Sequence, residues 1–491
     1  MALSGCNERI KRYLEVSCMD VKGKTTALKK LRESIETASG SARKRLAMLF
    51  DEGTFVEIGA FVKQRPSEFG VAEAAAEGVV TGYGSVNGVL VFAFAQDPSV
   101  LKGSISEMNA KKICNLAEMA LKADAPIVSM IDTCGVRLLE GVDALSGYGK
   151  ILKKFNKVAG SIFHISIVFG VSAGAMSFLP ALADYTIVLK DSEIFLSSPD
   201  VVRARFNDGK AGTAAAAYER GLASLVCKTE GEAVKGCKEF INFVCSPAKP
   251  ADDINRLVPE ISKIIAKDGY NMLDVIKSVA DEGKVFEMYS GCAGNLVTAI
   301  IKLGGFTVGV IGNQPKVRNG ILDTAAAKKA AKFIDFCEFA GISLLSLVDT
   351  NGYDPDPEEN IEDIVLQPLS FINAEVPKIT LIIGKAYGAG YVSMCSKTGG
   401  SDLVLAYPTA QIACLPAESG AVFMSAQTIV QTNADPVEER EQLIAQYRNT
   451  IASPYEAAKH GYVDDIIEIQ TTRQLLISSF DMLSAKIDTE A

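Results

Sequence analysis

The sequence predicts an α/β protein built as two tandem copies of one unit in which two strands and a helix recur (ββα). Three observations carry this: an internal repeat with fixed spacings, short apolar runs that end in glycine, and a composition suited to a large buried core.

The repeat comes first. Gln96 precedes Gly103-Ser-Ile-Ser-Glu-Met-Asn-Ala-Lys-Lys112, an amphipathic stretch, and then Ile127-Val-Ser-Met-Ile-Asp132. Gln314 precedes Gly320-Ile-Leu-Asp-Thr-Ala-Ala-Ala-Lys-Lys329, another helical stretch, and Leu344-Leu-Ser-Leu-Val-Asp349. Gly103 to Asp132 and Gly320 to Asp349 are both 29 residues, and Lys112 to Asp132 and Lys329 to Asp349 are both 20. Two generic α/β segments would not share both spacings except by chance. Further on, Ser172-Ala-Gly-Ala175 pairs with Gly388-Ala-Gly-Tyr391, each after an apolar strand (Ile165 to Phe169, Ile379 to Ile383). Asp184 and Asp402 then open a further strand in each half.

Each half therefore reads strand, glycine turn, helix, strand, polar loop, then strand, glycine turn, helix. Ser104 with Glu107 has the form of a capping box, and Asp323 is placed to cap the matching helix. The strands are short continuous apolar runs, the pattern of strands buried on both faces. Residues 1–50 read as helical and locally basic, and Phe206 to Leu222 as a Gly- and Ala-rich helical excursion. The proline-containing run Cys245 to Asp252 reads as a linker, which divides the chain into domains 1–250 and 251–491.

Composition narrows the function. The net charge of −9 argues against nucleic acid as the main partner, because phosphate binding needs a basic footprint. Met1 to Val16 has no secretory pattern. The 11 cysteines include no C-x-x-C pair, as in a cytoplasmic protein with reduced thiols and no zinc ribbon. Val158 to Ala183 lacks charge and has the length of a membrane span, but its glycines, Pro180 and serines fit a buried strand from His164 to Gly170, a turn and a helix better. Of the two histidines, His164 sits in that strand and reads as a core residue rather than a catalyst. No G-x-S-x-G elbow and no phosphate-binding P-loop are present.

Glycine turns at strand ends are what the chain offers. Asp132-Thr-Cys-Gly135-Val136-Arg137 and Gly170-Val-Ser-Ala173-Gly174-Ala175 lie in one half. Asp349-Thr-Asn-Gly352-Tyr353 and Tyr387-Gly388-Ala389-Gly390-Tyr391 lie in the other. A glycine turn lets a ligand approach backbone N–H groups, and a following helix adds partial positive charge. Two N–H groups aimed at one point form an oxyanion hole, which stabilises an enolate such as that of a thioester. Any single turn can be merely structural; four matched across a repeat point to a site that handles two oxyanions.

Several segments resemble a known family: Asp51-Glu-Gly-Thr-Phe-Val-Glu57, Gly78-Val-Val-Thr-Gly-Tyr-Gly84, Gly103-Ser-Ile-Ser-Glu107, Ile311-Gly-Asn-Gln-Pro-Lys316, Phe333 to Cys337, Lys385-Ala-Tyr-Gly388 and Tyr407-Pro-Thr-Ala410. These are similar to acyl-CoA carboxylase β-type carboxyltransferases, from about residue 20 to 470. The nearest type is the propionyl-CoA carboxylase β subunit, also seen in methylmalonyl-CoA decarboxylases.

The resemblance implies two tandem crotonase-like (ClpP/crotonase) domains. The N-terminal domain would bind short-chain acyl-CoA, and the C-terminal domain of a partner subunit would bind carboxybiotin on a separate carrier protein. Biotin relieved of CO2 would take the acyl α-proton, and the thioester enolate would attack CO2. This suits a chain poor in histidine, and no metal is implied. Val136, Gly174 and Ala175 match the acyl-CoA oxyanion positions, with Gly135 beside them as a further catalytic candidate. Gly352, Tyr353, Ala389 and Gly390 match the biotin-side positions, with Gly388, Tyr391 and Val392 beside them as cofactor-binding residues. Implied partners are a biotin carboxyl carrier protein and biotin carboxylase, or membrane decarboxylase subunits, around a homohexamer.

The chain departs from the family pattern at several points. Cys134-Gly-Val-Arg137 stands for Gly-Gly-Ala-Arg, Ala175 for a second glycine, and Gly388-Ala-Gly390 for Gly-Gly-Ala. Asp349-Thr-Asn-Gly-Tyr353 stands for Asp-x-Pro-Gly-Phe, Asn109 for a histidine, and Val392 for a position often acidic, which leaves the acyl chain open. Two alternatives therefore stand beside carboxyl transfer. One is a catalytically silent scaffold homologue. The other is a monofunctional crotonase-type enzyme, which would need a carboxylate such as Glu140 at the thioester.

Overall fold

The computed structural model describes residues 21–38, 40–65, 74–245, 249–355, 360–429 and 436–484. The chain forms two compact units. Unit 1 comprises residues up to Ala214 together with Cys227–Lys238, and unit 2 comprises Ala215–Val226 and Glu239 onward. The proposed linker run, Cys245 to Asp252, falls partly outside the described residues.

In unit 1 the sheet is ordered β1 (Val56–Ile58), β2 (Val79–Val86), β3 (Val89–Gln96), β4 (Ile127–Thr133), β5 (His164–Ala173) and β6 (Tyr185–Leu189), with β7 (Glu193–Phe195) beside the far end of β5. Beyond β6 lies β8 (Leu225–Cys227), whose Cys227 carbonyl accepts the Lys190 N–H at 2.9 Å. Strands β2 and β3 form an antiparallel hairpin, and β3 to β6 run parallel. All seven residues of β4 are buried, so Ile127, Val128, Met130 and Ile131 lie on both faces and the strand shows no strict apolar–polar alternation. Helices Glu107–Ala123 and Gly141–Val158 make the crossovers from β3 to β4 and from β4 to β5.

Unit 2 repeats this order: β9 (Val285–Met288), β10 (Leu296–Leu303), β11 (Phe306–Asn313), β12 (Ser343–Thr350), β13 (Lys378–Tyr387) and β14 (Leu403–Ala406), with β15 (Gln411–Ala413) beside β13 and β16 (Asp465–Ile466) beside β14. The registers coincide. Phe92 opposes Ile127 as Gly309 opposes Leu344, and Ile127 opposes His164 as Leu344 opposes Lys378. Its core is aliphatic, with Ile261, Ile276, Val310, Leu345, Leu381 and Leu476 all buried.

The repeated residues have mechanical reasons. A Cβ on Gly103 would stand 2.3 Å from the Asp132 carbonyl oxygen, and one on Gly320 2.3 Å from that of Asp349, so the paired glycines let the strand end pass close by. Lys112 and Lys329 are buried, and each ammonium donates to a carbonyl at a strand start, Val79 for Lys112 and Leu296 for Lys329, which also reaches Cys292 and Ala293 in the preceding turn. Burial lowers the pKa of both, to about 8.

Several expectations need correcting. Ser106, not Ser104, caps the 107–123 helix by accepting the Asn109 N–H at 2.9 Å; Ser104 Oγ instead accepts a bond from Arg137 Nε at 3.1 Å. The counterpart of Gln96 is Asn313 rather than Gln314: their side-chain carbonyls accept the N–H of Asp132 and Asp349 at 3.2 and 3.1 Å. Asp323 caps its helix as expected, accepting the Ala326 N–H at 2.8 Å. The uncharged stretch folds as β5, a 3-10 turn at Gly174–Ser177 and a short helix at Phe178–Leu182. Among the described residues no helix is long and apolar enough to cross a membrane. The N-terminal helices span Val21–Ala38 and Gly40–Leu49, and helices at Pro199–Phe206 and Ala214–Glu219 make up the excursion.

Candidate active site

Each unit brings two strand ends together through one device. Pairing of β4 with β5 shifts register between Ile131 and Thr133, and that of β12 with β13 between Val348 and Thr350. An aspartate fills each bulge. Asp132 Oδ1 accepts the Val171 N–H at 3.4 Å, and Asp349 Oδ1 accepts the Lys385 N–H at 2.9 Å. A Cβ on Gly170 would stand 2.3 Å from the Asp132 carboxylate, and one on Gly384 2.6 Å from that of Asp349. Only glycine admits the carboxylate there, so Gly170 shapes the bulge and the turn itself comes later, at Gly174.

Beyond the bulge the strand ends carry the glycine turns. Gly135 has φ 105° and Gly352 φ 109°, a region costly for other residues. Their N–H groups donate to Thr133 Oγ1 and Thr350 Oγ1, both at 3.1 Å. A one-residue bridge follows each. Ile105 N–H donates to Gly135 O and Arg137 N–H to Ile105 O, at 2.8 and 2.9 Å; Leu322 N–H donates to Gly352 O and Asp354 N–H to Leu322 O, at 2.9 and 2.8 Å. This pattern turns the N–H of Val136 and of Tyr353 to the side away from the bridge. The second turn begins at Gly174, φ 62°, and at Gly388, φ 55°.

The two ten-residue strands β5 and β13 place Gly174 and Gly388 at the same position. The repeat is therefore paired differently from the Ala-Gly match in the sequence: Ala175 corresponds to Ala389, and Gly390 to the buried Met176. Gly390 has its own steric reason. A Cβ there would stand 2.7 Å from the Gly352 Cα, so the 388–393 helix lies directly on the 350–353 turn. The structure thus brings Gly135 and Gly174 together in unit 1, and Gly352 and Gly390 together in unit 2. Tyr391 and Val392 follow in the same short helix, with the Val392 side chain exposed.

The turn in unit 1 rests on a buried ion pair that the sequence reading did not single out. Arg137, placed by the 135–137 bridge, pairs with Glu77, with Glu140 at 3.2 Å and with the Ser104 carbonyl at 3.1 Å. Glu77 also accepts the Ser106 hydroxyl at 3.1 Å. The available signal was the arginine that closes the Cys134 to Arg137 loop. The second Glu140 oxygen accepts the Glu107 N–H at 3.0 Å. With both oxygens engaged, Glu140 is poorly placed to act as a free base.

His164 is a core residue. Its Nε2 lies 2.9 Å from Ser129 Oγ, its ring is 4.8 Å from that of Phe155, and burial lowers its pKa to about 3. Among the described residues no three His, Cys, Asp or Glu side chains gather closely enough to hold a metal ion.

This geometry has known relatives. The Carboxyl transferase domain family matches residues 36–490. The chain is 37% identical over 481 residues to the methylmalonyl-CoA decarboxylase subunit alpha of Propionigenium modestum, covering 94% of this chain and 93% of that protein. It is 36% identical over 470 residues to the mitochondrial propionyl-CoA carboxylase beta chain of Homo sapiens, covering 91% and 86%. The crystal structure of transcarboxylase 12S, a hexamer determined with methylmalonyl-coenzyme A and methylmalonic acid bound, matches with a TM-score of 0.90 at 34% identity over 95% of this chain and 96% of that one. With two tandem crotonase-like units and this likeness over nearly its whole length, the chain belongs to the carboxyl transferase domain family.

Proposed function

We propose that this chain is the carboxyltransferase subunit of a biotin-dependent enzyme. It moves a carboxyl group between carboxybiotin on a separate carrier protein and the α-carbon of a short-chain acyl-CoA of the propionyl or methylmalonyl type. The observation that carries the reading is the matched pair of glycine turns in each unit, within a chain similar to methylmalonyl-CoA and propionyl-CoA enzymes along almost its full length.

In the N-terminal domain, residues 1–250, the turns at Gly135–Val136 and Gly174–Ala175 hold the thioester oxygen as it gains charge. In the C-terminal domain, residues 251–491, Gly352–Tyr353 and Gly388–Gly390 hold the ureido oxygen, with Tyr391 and Val392 beside it. The fit is supported by open backbone. Among the described residues not adjacent in the chain, a Cβ at Gly352 or Gly388 would meet main-chain atoms alone within 4 Å, which leaves room for a flat ring beside these peptide groups. Carboxybiotin, when bound, supplies CO2 and then the base for the acyl α-proton. The chain's own part is to fix two oxyanions and to keep side chains out of their approach. The engaged state of Glu140 weighs against a hydratase-like reading. Exposed Leu138, Val142 and Leu145, which directly follow the first turn, suit burial against another copy in a homohexamer.

The test is reconstitution. Purified protein with propionyl-CoA, ATP and bicarbonate should be inactive. Adding a biotinylated carrier and a biotin carboxylase should give methylmalonyl-CoA. Turnover by the chain alone, or none in the complete mixture, would refute the assignment. Light scattering should give a hexamer; an active monomer would contradict the assembly.

A further inference from the structure

The two pairs of turns differ in what stands over them. In unit 1 the 141–158 helix carries the half-buried Tyr148. Its hydroxyl oxygen lies 3.5 Å from where a Cβ would stand on Gly135, and 3.5 Å from where one would stand on Gly174. One oxygen therefore faces both glycines. In unit 2 the matching positions, Gly352 and Gly388, meet the Tyr387 carbonyl at 3.7 Å and the Cys414 carbonyl at 3.1 Å, residues adjacent in the chain aside. With the same neighbours set aside, no described side chain in unit 2 stands within 4 Å of both positions as Tyr148 does in unit 1.

The hydroxyl is weakly engaged. Its bond to the Ala173 carbonyl is 3.4 Å long, against about 2.5–3.0 Å for an ordinary O–H···O bond. Exchanging it for a short bond to a ligand oxygen loses little. Burial, with Cys134 nearby, raises the phenol's pKa well above its usual value, so the group stays a donor and is not a base. The neighbouring polar groups are otherwise occupied: Thr133 Oγ1 takes the Gly135 N–H, Ser177 Oγ donates to the Gly174 carbonyl, and Arg137 is paired with Glu77.

We propose that the Tyr148 hydroxyl is a third hydrogen-bond donor of the acyl-CoA side, placed to bond the thioester oxygen as it becomes an enolate oxygen. This rests on the carboxyltransferase reading and adds a side chain to a site otherwise made of backbone. The phenol keeps its proton throughout; only its hydrogen bond strengthens as the enolate forms. A neutral donor suits the oxygen of a thioester enolate, on which the negative charge gathers as the α-proton leaves.

Tyr148→Phe removes the oxygen and keeps the ring. In the reconstituted hexamer, kcat for carboxyl transfer to propionyl-CoA should fall on the order of 10²-fold, as for loss of one oxyanion donor, with little change in KM. Decarboxylation of free carboxybiotin, which uses the unit 2 turns, should stay at the wild-type rate. A second readout is equilibrium binding of a CoA thioether bearing a nitronate in place of the enolate. The Phe variant should bind it at least about tenfold more weakly and bind propionyl-CoA as the wild type does. Site-specific 3-fluorotyrosine at position 148 keeps the shape and sharpens the donor, so nitronate binding should tighten. Unchanged kcat with unchanged nitronate affinity overturns the proposal. Equal loss of both half-reactions with a lowered unfolding midpoint also overturns it, because that is a structural role. A wild-type protein inactive in the complete mixture sinks the carboxyltransferase reading and this one together. An active wild type with an unaffected Phe variant sinks this one alone.

Discussion

Asp132 and Asp349 occupy the same bulge in the two units, yet keep different company. Asp132 pairs with Arg45 at 3.0 Å, and Arg45 also bonds Glu230 at 2.8 Å and lies 4.4 Å from the Phe169 ring centre. Asp349 has a neutral partner, accepting the Tyr270 hydroxyl at 2.9 Å. Burial raises the Asp349 pKa above the usual carboxylate value, against the lowering effect of its hydrogen bonds. The Tyr270 phenol is raised as well, by burial first and then by Asp349. The comparison separates what the repeat must keep from what it can vary. The bulge needs an acceptor for one strand N–H and a glycine to admit it, so both are duplicated. The second oxygen needs only some partner, and each unit recruits its own from outside the repeated segment.

The largest expected effects come from the turns. Gly174→Val should lower acyl-CoA carboxylation by about 10²–10³-fold, on the scale of losing an oxyanion donor, and spare decarboxylation of free carboxybiotin. Gly388→Val should lower both reactions. If Gly174→Val left acyl-CoA carboxylation near wild type, that turn would not belong to the site. Gly174→Val and Gly388→Val also carry the strain of a side chain at positive φ, whereas Gly390→Val brings a steric clash instead. Its Cβ would press on the Gly352 backbone, so a lowered unfolding midpoint should accompany lost activity.

The aspartate partners come next. Arg45→Met leaves a buried carboxylate without its cation, an effect of about 3–5 kcal/mol on unfolding in urea. Tyr270→Phe removes one hydrogen bond to a carboxylate, about 1.5–3 kcal/mol. The opposite ranking would show that the ion pair is not what holds the first bulge.

Two pH effects are smaller, and their signs follow from linkage. The folded Asp349 pKa lies above its unfolded value, so the folded state binds the extra proton. Stability from this group should therefore fall as pH rises through the window between 3.8 and the raised value. Asp349→Asn should remove that slope; an unaltered stability profile over this window would contradict the raised carboxyl. The buried Lys112 and Lys329 have folded pKa values near 8 against 10.5. The unfolded state then binds more protons between those limits, so stability should rise with pH from about 8 to 10.5. Lys112→Met or Lys329→Met should flatten part of the rise. No change in slope for either variant would argue that these ammonium groups remain charged in the fold.

By itself, the sequence determined the duplicated architecture. The paired 29- and 20-residue spacings, the apolar strand runs and the Asp323 cap are properties of consecutive residues, and local geometry enforces them. It also located all four glycine turns, because a residue held at φ between 55° and 109° is marked by its side chain or the lack of one. What required tertiary structure was everything set by a neighbour distant in sequence. Ser106 displaced Ser104 as a cap because Ser104 is drawn to Arg137, 33 residues away. Gly390 is glycine because of Gly352, and Gly170 because of Asp132. The Glu77–Arg137 pair joins residues 60 apart, and Tyr148 meets two turns only because a crossover helix lays it there. Periodicity and spacing encode which element a residue joins. They carry no record of which side chains converge at the strand ends, because that depends on the twist and register of strands paired across the fold.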